Sequence, residues 1–260
     1  MPWFGLGVYK ANEGEEVQLA VRSAIEIGYR SIDTAALYQN EQGVGQAIRD
    51  CEIPREQLFI TTKVWNTDQG FETTLQAFEE SRKKLGLDYI DLYLIHWPVK
   101  EKYVETWRAL NKLYAEGLVR AIGVSNFQVH HIKDLMQHSE MIPMVNQIEL
   151  HPRLTQKTLL DYCKEQQIQV EAWSPLMRGN LMANPTLEVI ANKYKKSVAQ
   201  VILRWDLEHQ VVTIPKSVNP SRIIENANIF DFQLTHEDIE AIDALNLDQR
   251  VGPDPDNFSF

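Results

Sequence analysis

Four residues of this sequence have side chains that together could protonate a carbonyl oxygen: Asp33, Tyr38, Lys63 and His96. Three of them stand at the ends of short apolar runs, and Tyr38 follows Asp33 in the next loop. If these runs are neighbouring parallel strands, their carboxyl ends meet at one rim of a sheet. The sequence then brings a carboxylate, a phenol, an ammonium group and an imidazole together at that rim.

Short apolar runs alternate with longer amphipathic segments along almost the whole chain, a pattern typical of βα units around a parallel sheet. Strands are predicted at residues 4–8, 31–33, 58–64, 90–96, 121–125, 144–149, 169–173 and 211–215. Helices are predicted at residues 15–27, 42–50, 71–85, 101–116, 129–137, 156–166, 185–194, 198–208 and 222–228. Thr235 and Asp238 predict a capping box that opens a last helix, ending near residue 245.

Eight strand and helix pairs in 260 residues favour a single-domain α/β fold, the (β/α)8 TIM barrel, over an open doubly wound sheet. No linker, low-complexity tract or repeat of fixed period interrupts the pattern. Reactive groups of such barrels gather at the carboxyl ends of the strands. The quartet therefore lies where this fold predicts chemistry.

The net charge of −10 argues against a general affinity for nucleic acid or anionic membranes, because both need clustered cations. No apolar stretch approaches the length of a membrane span, and the first residues lack the layout of a signal peptide. Cys51 and Cys163 fit no metal or redox spacing, which favours free thiols in a reducing cytoplasm. We expect a cytoplasmic protein, and an acidic surface without an apolar seam favours a monomer.

Two further motifs are given no functional role. The run from Gly43 to Ile48 begins like a dinucleotide-binding fingerprint, but no strand leads into it and its last position is not glycine. His130 and His131 are adjacent, so on a helix we expect them to point apart, without the spacing of a zinc-binding pair. No metal site is predicted.

Within the quartet, Lys63 is expected to make Tyr38 a stronger acid, because an ammonium group favours the phenolate. Asp33 would keep Lys63 charged and in position, and His96 would hydrogen-bond a substrate oxygen. A structural alternative exists for each part: an Asp33–Lys63 ion pair that closes the rim, and a core imidazole at His96. Neither alternative accounts for the whole quartet.

Three segments resemble the signatures of the aldo-keto reductases, in the order that the family has them. The first runs from Gly28 to Gly45, the second from Gly123 to Phe127, and the third from Ile214 to Ser217. The resemblance covers nearly the whole chain and is strongest to bacterial 2,5-diketogluconate reductases and to glyoxal and methylglyoxal reductases. It implies an NADPH-dependent reductase of small aldehydes and ketones, with Tyr38 as the general acid, Lys63 and Asp33 assisting it, and His96 orienting the carbonyl.

The same resemblance implies residues that hold the NADPH cofactor and the substrate. Those for the nicotinamide end and the adjoining loop are Ser125, Asn126, Gln147, Trp173, Ser174 and Leu176. Those for the adenosine 2′-phosphate and the adenine are Lys216, Ser217, Arg222, Glu225 and Asn226. Two cations and a hydroxyl within seven residues make a compact phosphate clamp on an otherwise acidic chain. The substrate would meet Tyr9, Trp65 and Trp97.

The chain departs from the family pattern in two places. It begins almost at the first strand, so the amino-terminal hairpin that usually plugs the barrel is missing or truncated. Only residues 97–100 separate the fourth strand from the next helix, so we expect an open pocket that favours small or polar carbonyls.

Two other functions are compatible with parts of the sequence. Lys63 at a barrel strand end suits a Schiff-base aldolase, although Asp33 would keep it protonated and the phosphate clamp would have no use. A barrel that binds NADPH and reports redox state to a partner is the non-enzymatic alternative. The intact quartet favours the reductase over both.

Overall fold

The computed structural model describes residues 1–260 and contains one sheet of eight parallel strands, in the order of the chain. The strands are β1 (Leu6–Gly7), β2 (Ser31–Asp33), β3 (Phe59–Val64), β4 (Ile90–Ile95), β5 (Val119–Ser125), β6 (Val145–Glu149), β7 (Gln169–Trp173) and β8 (Val212–Thr213). Single parallel bridges join Phe4 to Thr213 and Gly7 to Lys216, so the first and last strands meet and the barrel closes. The predicted (β/α)8 barrel is confirmed.

Ten α-helices surround the sheet. They are α1 (Glu15–Glu26), α2 (Glu41–Asp50), α3 (Phe71–Leu85), α4 (Tyr103–Ala115), α5 (Val129–Gln137), α6 (Lys157–Glu165), α7 (Pro185–Tyr194), α8 (Val198–Glu208), α9 (Pro220–Ala227) and α10 (His236–Asp243). The capping box at Thr235 and Asp238 is present. None of these helices is both long and apolar enough to cross a membrane.

Most strand and helix bounds lie within two residues of the predicted ones, and the differences at β1, β8 and α9 have local reasons. The terminal strands β1 and β8 have only two residues each, and Pro215 has no N–H with which to continue the ladder of β8. Helix α9 begins at Pro220, two residues before its predicted start, because Asn219 caps it and proline suits the first helical position. Residues 1–5 precede β1 and form no hairpin.

Apolar side chains pack on both sides of the barrel wall, as alternation along a strand requires. On β4, Tyr93 and Ile95 join the large core beneath the helices, whereas Leu92 and Leu94 belong to a small cluster with Val145. The carboxylate of Asp33 on β2 accepts hydrogen bonds from Lys63 on β3 and from Gln147 on β6. These contacts place a buried polar group inside the barrel at the carboxyl ends of its strands.

The run from Gly43 to Ile48 lies within α2, where its glycines serve helix packing. A Cβ on Gly45 would stand 2.1 Å from the carbonyl oxygen of Leu85, at the end of α3. One on Gly43 would stand 2.5 Å from a methyl group of Val17. The glycines therefore let three helices approach closely, and the run is no dinucleotide-binding loop.

Candidate active site

Lys63, near the end of β3, is completely buried, and its ammonium group is held from two sides. Its Nζ donates a hydrogen bond to Asp33 Oδ1 at 2.6 Å and another to the carbonyl oxygen of Thr34 at 2.9 Å. Tyr38 lies in the short 3-10 helix that follows β2, and its ring centre is 5.1 Å from the same Nζ. The structure thus brings three of the four predicted residues together.

The nearby charge of Lys63 shifts the pKa of Tyr38 in the expected direction, and burial shifts it further in the opposite direction. Burial raises the pKa of Tyr38 to about 12, and the nearby charge of Lys63 lowers it only in part. The predicted effect of Lys63 on the acidity of Tyr38 therefore has the expected direction, but burial outweighs it. At neutral pH the phenol holds its proton, which a proton donor needs.

Lys63 remains charged although it is buried. Burial alone would lower the pKa of Lys63, but the charge of Asp33 and the hydrogen bond to it outweigh this effect, and the pKa ends above its ordinary value. The carboxylate therefore keeps the ammonium group protonated, as the sequence suggested.

His96 completes the quartet from the loop after β4. Its ring centre is 5.8 Å from that of Tyr38, at a steep angle, and both side chains line the same cleft. Burial, with the charge of Lys63, lowers the pKa of His96 well below its usual range. The imidazole is therefore neutral, and its buried Nδ1 has no hydrogen-bond partner in the protein. A neutral imidazole can donate an N–H hydrogen bond to a carbonyl oxygen, while the neighbouring phenol keeps the proton that it would donate to the same oxygen.

The cleft above the quartet, of about 370 Å³, has aromatic walls. The ring of Tyr9 lies 4.9 Å from that of Tyr38, that of Trp65 lies 5.0 Å from that of His96, and Trp97 is almost fully buried. All three expected substrate residues line the cleft. Lining residues that the sequence did not identify are Gly7, Leu37, Arg178, Ile214, Gly252, Pro253 and Phe260.

The carboxyl-terminal segment narrows the mouth that the short loop after β4 leaves open. The ring of Phe260 stacks on Trp65, 5.7 Å away and almost parallel, and packs edge-on against Trp97. Phe258 also contacts Trp97. The expected open pocket therefore has a partial aromatic cover. No periodicity or motif in this segment indicated it.

The residues assigned to the nicotinamide end form a hydrogen-bonded shelf beside the quartet. Trp173 Nε1 donates to Asn126 Oδ1 at 2.9 Å, and Asn126 Nδ2 donates to Ser125 Oγ and to the carbonyl oxygen of His96. Gln147 Nε2 donates to Asp33 Oδ2 at 2.8 Å. Ser174 also lines the cleft, whereas Leu176 packs against the apolar core and does not line it. The shelf presents an indole face and polar groups, which fit an aromatic ring bearing a carboxamide.

The residues assigned to the phosphate and adenine end lie after β8 and on α9. Lys216 lines the cleft, while Ser217, Arg222, Glu225 and Asn226 lie beyond it. Arg222 is exposed at the first turn of α9, and neither it nor Lys216 is engaged in an ion pair. Two uncommitted cations near a helix amino terminus are a suitable environment for a phosphate. These residues therefore fit the adenosine 2′-phosphate end of a dinucleotide.

The expectation that His130 and His131 point apart is wrong. Their ring centres are only 4.0 Å apart, and Nε2 of each lies near Oδ1 of Asp256, at 2.9 and 3.4 Å. His131 Nδ1 accepts a hydrogen bond from the backbone N–H of Gln128, so a neutral His131 carries its proton on Nε2. The atom that faces Asp256 is therefore a donor, which suits a hydrogen-bonded contact to the carboxyl-terminal segment.

Comparison with known proteins identifies the family. Residues 3–247 match the aldo/keto reductase family. Glyoxal reductase of Bacillus subtilis is 65% identical over 260 residues, covering 100% of this chain and 94% of the relative. Methylglyoxal reductase DkgA of Salmonella typhimurium is 48% identical, with 99% and 94% covered. A crystal structure of a Gox0644 variant in complex with NADPH is 42% identical, covers 100% of this chain and 95% of that one, and superposes with a TM-score of 0.95. The chain belongs to the aldo/keto reductase family.

Proposed function

We propose that this protein reduces small aldehydes and ketones to alcohols with NADPH, that glyoxal and methylglyoxal are among its substrates, and that Tyr38 delivers the proton. The observation that carries the proposal is the protonated Tyr38 at the floor of an aromatic cleft, above the buried Lys63–Asp33 pair. The relatives named glyoxal reductase and methylglyoxal reductase support the choice of substrate.

NADPH, when bound, supplies the hydride, a reactive group that no amino-acid side chain provides. Trp173 and the shelf of Ser125, Asn126 and Gln147 would hold its nicotinamide end, and Lys216 and Arg222 its 2′-phosphate. His96 orients the substrate carbonyl through a hydrogen bond to its oxygen, and Tyr38 donates the proton to that oxygen. Lys63 stabilises the phenolate that Tyr38 becomes, and Asp33 holds Lys63 in place.

The aromatic walls explain why small carbonyls are preferred in this proposal. Phe260 contacts both Trp65 and Trp97, so the space above His96 is limited. A small dicarbonyl fits beneath these rings, whereas a bulky aromatic aldehyde would have to displace Phe260. We also infer a cytoplasmic monomer, which the free thiols of Cys51 and Cys163 and the acidic net charge support.

The aldolase alternative is disfavoured by the position of Lys63. Its ammonium group is charged, has no exposure to solvent, and is committed to Asp33 and Thr34. A Schiff-base lysine must be neutral and within reach of a substrate carbonyl. The redox-sensing alternative would bind NADPH and report its redox state to a partner, without turnover of a carbonyl.

The absorbance of NADPH, followed on adding glyoxal or methylglyoxal, tests the proposal. We expect substrate-dependent oxidation of NADPH, and Tyr38→Phe should lower kcat by about 10²- to 10⁴-fold, because it removes the proton donor. The dissociation constant for NADPH, measured by quenching of tryptophan fluorescence, should stay within about twofold of wild type, because Tyr38 acts on the substrate.

Three results would each contradict a part of the proposal. Near-normal turnover of Tyr38→Phe would rule out its role as the acid. NADPH binding without turnover on any small carbonyl would favour the sensor. Borohydride trapping of substrate on Lys63 would favour the aldolase.

A further inference from the structure

Glu171, on β7, is a completely buried carboxyl group that the proposed reaction leaves without a role. It is the direct neighbour of Gln147 in the ladder between β6 and β7, and it lies two residues before Trp173 on the same strand. Its Oε2 accepts a hydrogen bond from Gln147 Nε2 at 2.6 Å, and its Oε1 has no partner in the protein. A buried carboxyl with a single side-chain partner acts mainly on that partner.

The amide nitrogen of Gln147 lies between two carboxyl groups. It donates one N–H to Asp33 Oδ2 at 2.8 Å and the other to Glu171 Oε2. A single hydrogen bond would leave the amide free to turn about the line between donor and acceptor. Because both N–H groups and Oε1 lie in one plane, two acceptors fix that plane. The direction of Gln147 Oε1, which accepts no hydrogen bond from the protein, is then fixed as well.

We propose that Glu171 is a positioning residue that, together with Asp33, fixes the amide plane of Gln147 so that its oxygen is ready to accept a hydrogen bond from the carboxamide NH₂ of the nicotinamide. The inference rests on the proposed contact of Gln147 with the cofactor. It extends that contact to a residue that does not line the cleft.

Two carboxyl groups can share this amide because they differ in charge. Asp33 is paired with Lys63, whereas Glu171 has no cation within hydrogen-bond distance. Burial, together with the negative charge of Asp33, raises the pKa of Glu171 to about 8. A neutral carboxyl group at this position accepts the N–H without adding a second negative charge beside Asp33. An amide of the same shape should therefore replace it, and an apolar side chain should not.

The test combines two variants with two cofactors. Glu171→Met removes the acceptor at nearly constant volume, and Glu171→Gln retains an acceptor oxygen. The cofactors are NADPH and its acetylpyridine analogue, in which a methyl group replaces the NH₂ of the carboxamide. Dissociation constants are measured by tryptophan fluorescence in the absence of substrate. Glu41→Met is the matched control, because Glu41 is another buried carboxyl but bonds to Thr62 and not to Gln147.

We expect the wild type to bind NADPH about 3- to 10-fold more tightly than the analogue, the range of one hydrogen bond. Glu171→Met should weaken NADPH binding by a similar factor and leave binding of the analogue within about twofold, so the preference disappears. Glu171→Gln and Glu41→Met should retain the preference. A purely structural role of Glu171 would weaken both cofactors equally.

Equal weakening of both cofactors in Glu171→Met, or an unchanged preference, would overturn the role of Glu171 while leaving the proposed function intact. A wild type that binds NADPH but does not discriminate against the analogue would overturn the contact at Gln147 and this inference with it. Failure of the wild type to bind NADPH would overturn the proposed function itself. If Glu171→Met does not fold, loss of the preference in Glu171→Gln would also contradict the proposal.

Discussion

The charge of Lys63 affects both the stability and the chemistry of the site, and these two effects can be separated. A buried ammonium group without a partner is costly, and the same is true of a buried carboxylate. At 2.6 Å, Asp33 and Lys63 compensate each other, so the pair fits the structural alternative of an ion pair that closes the rim. A catalytic role requires in addition that the ammonium group of Lys63 lie beside Tyr38, as it does in the structure.

Lys63→Met is expected to destabilise the protein by about 3–5 kcal/mol, because Asp33 is left buried and unpaired. It should also lower kcat by roughly 100-fold, because the phenolate form of Tyr38 loses its stabilising charge. Urea unfolding and steady-state kinetics measure the two effects separately.

The double variant Asp33→Asn with Lys63→Met decides between the two roles. Removal of both charges should restore most of the lost stability, because no unpaired ion remains. It should not restore kcat. Recovery of activity in the double variant would mean that the pair serves only to close the rim.

At the scale of secondary structure, the sequence located the eight strands and the ordered motifs because apolar periodicity and local caps act within a few residues. It placed the quartet at the strand ends for the same reason. It did not reveal the path of the carboxyl-terminal segment, since that path depends on contacts with distant elements. Glu149 at the end of β6 accepts the backbone N–H groups of Val251 and Gly252, and Asp256 meets His130 and His131.

The net pKa of Tyr38 was missed for a related reason. The sequence shows that a cation and a phenol are near each other, which gives the sign of their interaction. The degree of burial of the phenol depends on the whole barrel rim and on Tyr9, and burial is the larger effect here. Local patterns therefore identified the reacting groups, and tertiary packing set their proton affinities.

The carboxyl-terminal segment supports Trp173 directly, and Gly252→Ala tests this contact. A Cβ at Gly252 would stand 2.3 Å from Cη2 of Trp173, so the indole would have to move. Since Trp173 is proposed to stack on the nicotinamide, we expect the dissociation constant for NADPH to rise by about tenfold with only a small change in stability.

Ser259→Ala is the matched control for this prediction, because Ser259 is exposed on the same segment and makes no contact with Trp173. It should bind NADPH as the wild type does. An unchanged dissociation constant in Gly252→Ala would show that the indole has room to move, and that the segment does not position it.

For the whole molecule, buried ionisable groups decide how stability depends on pH, and they act in opposite directions. Burial lowers the pKa of His96 and lowers that of His131 to about 4, whereas an ordinary histidine has a pKa of 6.5. At pH values below 6.5, the unfolded chain therefore binds more protons at these histidines than the folded protein does. Stability due to these histidines therefore rises with pH up to that value. Glu171 acts in the other direction, because its pKa is raised from 4.5 to about 8. Between those values the folded protein binds the extra proton, and its stability falls as pH rises.

Above pH 6.5, the histidines no longer change the pH dependence of stability. We therefore expect the free energy of unfolding to fall as the pH rises from 6.5 to about 8, the pKa of Glu171 in the folded protein. The contribution of Glu171 is at most about 1.4 kcal/mol per pH unit, the value for one proton.

Glu171→Gln cannot ionise, so its free energy of unfolding should rise relative to that of the wild type across this range, when both are measured by urea unfolding. Glu41 and Asp206 also have raised pKa values, but they are present in both proteins and cancel in the difference. Glu188→Gln, at an exposed position on α7, should follow the wild type at every pH. If the curves of Glu171→Gln and the wild type run parallel from pH 6.5 to 8, Glu171 does not hold its proton in the folded barrel, and Gln147 is shared by two negative charges instead of one.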